Sequence, residues 1–291
     1  MRKNTESNNT AQGQHVKENL TTAKAWKIFS QFKLGVCYEE GIVVPQDYEK
    51  AVECYTKAAE MGLVEAFYYL GSCYDMGKGV PQNFQKAVEL YAEAAIHGCV
   101  GAQFELGFSY DYGHGVPQNY KKAAKWYTKA AEQGEAYAQY RMGCFYEEGL
   151  GVKKDGRKAS KWYAIAMESF SQTAEQGDAD AQLRLGYGYS SGRGVPQNTK
   201  KAAEWFAKAA EQGNADAQYN LGACYEFGKG VKRSFKTAIK WYIKAAEQEN
   251  DDACYRLAVC YIEQRNIPQD QKEAVEELLR KMMNNIEEPN S

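Results

Sequence analysis

Residues 102–137 read AQFELGFSYDYGHGVPQNYKKAAKWYTKAAEQGEAY, and this stretch decides the fold because the rest of the chain repeats it. Copies begin at Ser30, Ala66, Ala102, Ala138, Ala181, Ala217 and Ala253, and we count repeat positions from these residues. Each step is 36 residues except the one from Ala138 to Ala181, which is 43. A constant period of about 20 to 50 residues is typical of arrays in which each unit completes its core on its neighbours.

Each copy contains two helical segments joined by a tight turn. In the first, helix A, apolar or small residues fall at positions 1, 5, 8 and 9, which is a helical spacing and not the alternation of a strand. Helix A is predicted to end at a glycine such as Gly77 or Gly113, followed by a second glycine in a G-x-G-V turn. The second segment, helix B, is predicted to follow a column of N-cap residues worth about 1 kcal/mol each. These are Asp47, Asn83, Asn119, Asp155, Asn198, Ser234 and Asp270.

The two helices of a copy carry faces that suit each other. Leu70 and Tyr74 of helix A are expected to pack on Ala87 and Tyr91 of helix B, and Gly71 allows the backbones to approach closely. One such pair buries too little surface to be stable alone, so stability must come from contacts between neighbours. The pattern therefore predicts an all-α solenoid of stacked helix-turn-helix repeats.

The consensus A-x-x-x-L-G-x-x-Y-x-x-G-x-G-V-x-x-[DN]-x-x-K-A-x-x-W-Y-x-K-A-A-E-x-G resembles the Sel-1-like repeat (SLR) family, relatives of the tetratricopeptide repeats. Residues 102–137 and 181–216 match it nearly throughout, and the resemblance covers about residues 30–283. It implies a right-handed α/α superhelical solenoid. It also implies an adaptor or scaffold that binds proteins or peptides on a curved surface.

The repeats divide the chain as follows. We predict a disordered polar arm at 1–18, a capping helix at 19–29, repeats at 30–65, 66–101, 102–137, 138–180, 181–216, 217–252 and 253–283, and a tail at 284–291. The end repeats depart from the pattern: Val43 replaces a turn glycine in repeat 1, and Ala258 replaces the helix A glycine in repeat 7. Such departures suit capping units that face solvent on one side.

By analogy with tetratricopeptide arrays, helix A should line a concave groove with the helical stripe formed by positions 3, 7, 10 and 11. The predicted partner-binding residues are the position 3 aromatics Phe32, Tyr68, Phe104, Tyr140, Tyr219 and Tyr255 and the position 10 acids Glu39, Asp75, Asp111, Glu147 and Glu226. Our hypothesis is that they receive a basic, partly apolar peptide or helix, through ring contacts and charge.

Both columns also have a structural interpretation. The rings at position 3 could be packing between repeats, and the acids could be solvated or paired with Lys78, Arg193 or Lys229. A carboxylate near a helix C-terminus interacts unfavourably with the helix dipole, which costs about 0.3 to 1 kcal/mol of stability per site. The repeated choice of an acid there indicates that it has a purpose.

Repeat 4 contains seven additional residues within MESFSQTAEQG. Seven residues make nearly two helical turns, so helix B could lengthen with little rotation of its face. We expect a local protrusion or a change of superhelix pitch between repeats 4 and 5; a neutral insertion remains the alternative.

The sequence lacks the signals of chemical sites. Its net charge of −2 gives no attraction for a polyanion, so we predict no nucleic-acid partner, and no apolar stretch approaches the length of a membrane span. The three histidines and eight cysteines show no metal-ligand or nucleophile spacing, so no catalytic residue, cofactor or metal site is predicted. The cysteines at position 8 should be compact buried side chains and reduced thiols. The G-x-G turns join helix to helix and are turn geometry, not phosphate loops.

Three functions remain in competition. The first is a non-enzymatic cytoplasmic adaptor or scaffold, as the resemblance implies, and the second is a secreted effector with the same groove. The third is a β-lactamase-like hydrolase or peptidoglycan-binding protein of the cysteine-rich branch of the family. That branch pairs cysteines eight residues apart, whereas here Ala246 stands at the position paired with Cys254.

Overall fold

The computed structural model describes residues 24–263 and 267–287, which form helices and no strand. Residues 24–40 make α1. The others are α2 Tyr48–Glu60, α3 Val64–Met76, α4 Phe84–Ile96, α5 Val100–Tyr112, α6 Tyr120–Glu132, α7 Ala136–Glu148, α8 Gly156–Glu175, α9 Ala179–Ser191, α10 Thr199–Glu211, α11 Ala215–Phe227, α12 Phe235–Ala246, α13 Asp251–Ile262 and α14 Gln269–Glu287. Odd-numbered helices are helix A of each repeat and even-numbered helices are helix B, so the all-α repeat architecture is confirmed.

The chain ends differ from the predicted divisions. Residues 24–29, expected in a separate capping helix, are continuous with helix A of repeat 1, and residues 284–287, expected in the tail, belong to α14. The predicted arm at residues 1–18 lies outside the described residues. Within the described ranges no helix combines the length and apolar character that a bilayer span requires.

The helices group into two compact units. The first runs to Arg141 and includes Glu148–Lys154, and the second comprises Met142–Glu147 and the chain from Asp155 onward. Within each unit, consecutive helices pack against one another, and the buried residues form clusters of alanine, leucine and aromatic side chains between them.

Turn chemistry sets the helix ends. Gly77, Gly113, Gly192 and Gly228 end their A helices in the left-handed conformation, as predicted. The predicted N-cap side chains of helix B accept backbone N–H bonds in repeats 1 to 6, for example Asn119 from Lys122 at 3.0 Å. In repeat 7 the N-cap prediction is wrong, because Asp270 lies inside the first turn of α14, where it forms a salt bridge with Lys236.

A glutamine in each regular turn was not anticipated. The Gln118 side chain donates to the carbonyl of Asp111 at 2.7 Å, and Gln46, Gln82 and Gln197 make the same bond in their own repeats. The bond ties the end of helix A to the residue that precedes the N-cap of helix B.

The second turn glycine has an inter-repeat role. A Cβ on Gly115 would lie 2.3 Å from the carbonyl oxygen of Phe84, the first residue of α4 in the preceding repeat. Gly79, Gly151 and Gly230 abut the first residue of the preceding helix B in the same way. The turn of each of repeats 2, 3, 4 and 6 therefore rests on the first residue of helix B in the repeat before it.

The insertion in repeat 4 is absorbed by α8, which has 20 residues where α6 has 13. The predicted lengthening of helix B is confirmed. Met167 and Phe170, in the added turns, are buried, so these turns also pack one face against the core. Gly194 of repeat 5 abuts the carbonyl of Tyr163, seven residues beyond the usual contact at the first residue of helix B. Repeat 5 is therefore seated two turns further along the preceding helix.

Replacing Gly115 by alanine should destabilise the protein more than replacing Gly134. Both glycines have positive φ, +69° and +95°, but a Cβ on Gly134 meets nothing within 4 Å. Backbone strain should lower the free energy of unfolding by about 1 to 2 kcal/mol at either site, and the clash with Phe84 should lower it by about 1 to 3 kcal/mol more at Gly115. Urea unfolding of the two variants measures the difference. Equal losses would show that the turn does not rest on the neighbouring repeat.

Deleting Met167–Thr173 should reset the register of repeat 5. The deletion joins Ala166 to Ala174 and restores the A-A-E-Q-G ending of repeat 3. Gly194 should then lie against the first residue of α8, and the partner of Glu147 should change from Arg193, at 2.9 Å in the intact chain, to Arg184. A crystal structure of the deletion variant checks both contacts. A Glu147–Arg193 pair that persists would contradict the two-turn displacement.

Candidate protein-binding surface

The rings predicted at position 3 pack inside their own repeats. Each of four rings lies against the helix B tyrosine of its own repeat, with centroid distances of 5.7 Å for Phe32–Tyr55, 6.0 Å for Tyr68–Tyr91, 5.7 Å for Phe104–Tyr127 and 5.7 Å for Tyr219–Tyr242. Phe32 is buried, so its prediction as a partner-binding residue is wrong. Tyr68, Phe104, Tyr140 and Tyr219 are half-buried, and Tyr255 is exposed.

The position 10 carboxylates meet the hydroxyl groups of the same helix B tyrosines. Tyr55 donates to Glu39 at 2.5 Å, Tyr127 to Asp111 at 3.1 Å, Tyr163 to Glu147 at 2.6 Å and Tyr242 to Glu226 at 2.8 Å. Burial, and then the hydrogen bond to Glu226, raises the pKa of Tyr242. The acids near these helix C-termini therefore accept hydrogen bonds inside the repeat, and this is the purpose that their repetition indicated.

Two of the acids also bind a cation from the next repeat. Arg141 reaches Asp111, and Arg256 donates to both carboxylate oxygens of Glu226, with Nε to Oε2 at 2.9 Å. Asp111 is 3% and Glu226 is 1% exposed, so both carboxylates are committed to internal ion pairs. Their prediction as partner-binding residues is wrong, since a partner cannot reach them.

Glu147 and Glu39 are half-buried and remain at the surface. Glu147 pairs with Arg193 at 2.9 Å, which is one of the pairings that the sequence left open. Glu39 is bound by the Tyr55 hydroxyl.

Asp75 is in a different environment. At the position that Arg141 takes relative to Asp111, repeat 3 has Glu105. Burial, with the nearby charges of Asp75 and Glu135, raises the pKa of Glu105 to about 7, and burial also raises the pKa of Asp75. Because the pKa of Glu105 is higher in the folded chain than its ordinary 4.5, its stabilising contribution is complete below pH 4.5 and is lost as the pH rises through about 7.

A group of exposed and half-buried aromatic side chains lies in the same unit, and the sequence-based list missed it. Phe108 and Tyr112, at positions 7 and 11 of repeat 3, have ring centroids 4.5 Å apart, and His114 lies 5.8 Å from Phe108 and 5.0 Å from Phe84. Tyr112 is 52% exposed, and Met76 at position 11 of repeat 2 is 48% exposed. We call Phe84, Phe108, Tyr112 and His114 the aromatic patch. Positions 7 and 11 were assigned to the binding face, so reading those columns across the repeats would have found it.

The second unit has a smaller counterpart. Phe227, at position 11 of repeat 6, is 54% exposed, and the Arg256 guanidinium lies 5.3 Å from its ring centroid. Arg141 lies over Tyr112 in the same way at 5.5 Å in the first unit. In both units, therefore, the arginine that pairs with the buried acid also stacks on an aromatic ring at position 11.

The described residues hold no group of three or more histidine, cysteine or acidic side chains that could bind a metal ion. All eight cysteines are free. At position 8, Cys73, Cys224 and Cys260 are buried as predicted, whereas Cys37 is half-buried. Burial raises the pKa of Cys73 to about 12, so this thiol is a poor nucleophile.

Comparison with known proteins identifies the repeat. The family model described as Sel1 repeat matches residues 28–63, 64–99, 100–135, 136–168, 179–214, 215–250 and 251–276. All seven matches begin two residues before our repeats. Comparison with curated proteins finds no match.

Solved structures give the same result. A Sel1 repeat protein from Oxalobacter formigenes is 32% identical, with 86% of this chain and 95% of that chain covered and a TM-score of 0.65. A protective antigen of uropathogenic Escherichia coli strains, displaying an SLR fold, is 34% identical with a TM-score of 0.49; 90% of this chain is covered, and the chain spans 62% of the length of that one. An immunity protein from Pseudomonas aeruginosa is 21% identical, with 78% and 84% of the two chains covered and a TM-score of 0.48. The chain belongs to the Sel1 repeat family.

Proposed function

We propose that the chain is a non-enzymatic adaptor or scaffold that binds a basic, partly apolar segment of a partner protein on the helix A face of its first unit. Sel1 repeats typically mediate protein interactions, and this supports the class of function. The free cysteines support action in a reducing compartment, the cytoplasm.

The aromatic patch is the observation that carries the proposal. The exposed ring of Tyr112 lies beside the half-buried ring of Phe108 on helix A, where the repeat fold itself does not need both of them: the matching residues of repeat 2 are Ser72 and Met76. Exposed, contiguous aromatic side chains mark interaction sites, because rings supply large contact areas at low entropic cost.

Charge selects the kind of partner. Asp75 and Glu105 are both half-buried, and the charges of Asp75 and Glu135 both act on Glu105. Aromatic faces attract cations as well, as the internal arginine over Tyr112 illustrates. A segment that combines arginine or lysine with apolar side chains therefore fits this face better than an acidic one.

Alanine at both Phe108 and Tyr112 should weaken binding of a labelled octapeptide of alternating arginine and leucine about tenfold, because the substitutions remove the ring contacts. Fluorescence anisotropy of the peptide measures the affinity. Ile96→Ala is the matched control, since Ile96 is 61% exposed in the same unit but ends a B helix. A peptide of alternating glutamate and leucine should bind at least tenfold more weakly. Equal affinity of the double variant and the control would remove the aromatic patch from the proposal.

A further inference from the structure

The internal repeats of the chain offer a direct comparison between equivalent junctions. The position 10 acid of one repeat and the position 4 residue of the next are 30 residues apart, as in Asp111–Arg141 and Glu226–Arg256. In both of these junctions position 4 supplies a guanidinium to the acid. At the junction of repeats 2 and 3 the corresponding residues are Asp75 and Glu105.

The frame around the three junctions is the same. In each, a helix B tyrosine packs on a helix A glycine. A Cβ added to the glycine would lie 2.8 Å from the ring of Tyr91 at Gly71, 2.7 Å from the ring of Tyr127 at Gly107 and 2.7 Å from the ring of Tyr242 at Gly222. That packing places the tyrosine near the position 10 acid: Tyr127 and Tyr242 donate a hydrogen bond to it, whereas Tyr91 interacts with Asp75 through charge alone. The junction of repeats 2 and 3 therefore has the frame that holds a guanidinium elsewhere in the chain, with a second carboxylate in place of the arginine.

We propose that this junction binds an arginine side chain of the partner, which takes the place that Arg141 and Arg256 take at the equivalent junctions. The inference rests on the proposed function and names the point of attachment. A guanidinium can donate to two carboxylates at once, which an ammonium group does less well, so arginine is the cation that the site fits.

The surroundings of the site support a docked partner. In the described part of the chain no cation forms a salt bridge with Asp75 or Glu105. Met76, at the position where Tyr112 and Phe227 lie under the internal arginines, is exposed. His114 of the aromatic patch lies close enough to Asp75 to lower its pKa. A bound segment could therefore place its arginine at the carboxylates and its apolar side chains on the patch.

The site should also respond to pH. Burial and the charges of Asp75 and Glu135 raise the pKa of Glu105 to about 7, and burial raises the pKa of Asp75, which His114 lowers. Tyr68 and Tyr91 also face Glu105, whose charge raises the pKa of both hydroxyl groups. A guanidinium favours the charged carboxylate, so binding releases a proton near neutral pH. The affinity should rise with pH between about 6 and 8 and level off above that range.

The test uses the arginine-leucine octapeptide with the full chain and two variants of Glu105. Glu105→Arg supplies the internal cation that repeats 4 and 7 have, so it should raise the melting temperature at neutral pH and lower the affinity more than tenfold. Glu105→Gln removes one charge and should lower the affinity about tenfold and flatten its pH dependence. Glu132→Gln, at an exposed acid of α6, is the matched control and should leave the affinity unchanged.

Each result has one meaning. If the wild-type chain does not bind the peptide, the proposed function fails for this class of partner and the inference fails with it. If the wild-type chain binds but both Glu105 variants bind as the control does, the proposed function stands and the arginine site is wrong. A lower melting temperature for Glu105→Arg would also overturn the inference, since it would show that a guanidinium does not fit between the repeats. Replacing the arginines of the peptide by lysines should weaken binding several-fold, and equal binding would contradict guanidinium recognition.

Discussion

The packing of a helix B ring on a helix A glycine is the contact on which the rest of the structure depends. In repeats 1 to 6 the ring of Tyr55, Tyr91, Tyr127, Tyr163, Phe206 or Tyr242 lies so close to a glycine that an added Cβ would be 2.4 to 2.8 Å away. In repeat 7 the glycine is replaced by Ala258, and the aromatic residue by Leu278. The two positions change together because a side chain on helix A leaves no room for a ring at that separation of the helices.

The same ring explains the acidic column. In repeats 1, 3, 4 and 6 its hydroxyl donates to the acid at position 10. The residues at these two positions in the seven repeats are Glu39 and Tyr55, Asp75 and Tyr91, Asp111 and Tyr127, Glu147 and Tyr163, Ser190 and Phe206, Glu226 and Tyr242, and Ile262 and Leu278. An acid occurs wherever a tyrosine is available to bond it, and not where phenylalanine or leucine replaces the tyrosine. The unfavourable position of the acid at a helix C-terminus is offset by this hydrogen bond, and by the guanidinium where one is supplied.

The repeat fold could be predicted from the sequence because its signals are local and recur seven times. Period, turn glycines and N-cap residues each depend on a few neighbouring residues, and Asp270 failed as an N-cap in the repeat where the turn pattern is already lost. The binding face could not be derived as well, because the exposure of a helix A side chain depends on the next repeat. Asp111 and Asp75 occupy the same position, and only the residue 30 places later decides that one is buried under Arg141 while the other faces Glu105. Comparing positions 4, 10 and 26 together would have shown this, whereas each column read alone does not.

A junction with two carboxylates is less stable than one with an acid and an arginine, so its presence in a repeat array requires a reason. Arrays of this kind distribute their stability over many neighbour contacts, so one weak junction is tolerated without unfolding the rest. The unfavourable interaction of Asp75 with Glu105 is present in the free protein and is relieved when a cation is bound, and this difference adds to the affinity of whatever supplies the cation. Where the acid is paired with an arginine of the same chain, as at Asp111 and Glu226, the ion pair makes the junction rigid but leaves no carboxylate for a partner to bind. The junction of repeats 2 and 3 has two carboxylates at the positions that hold an acid and an arginine in Asp111–Arg141 and Glu226–Arg256. It is therefore where recognition can be gained at the expense of local stability.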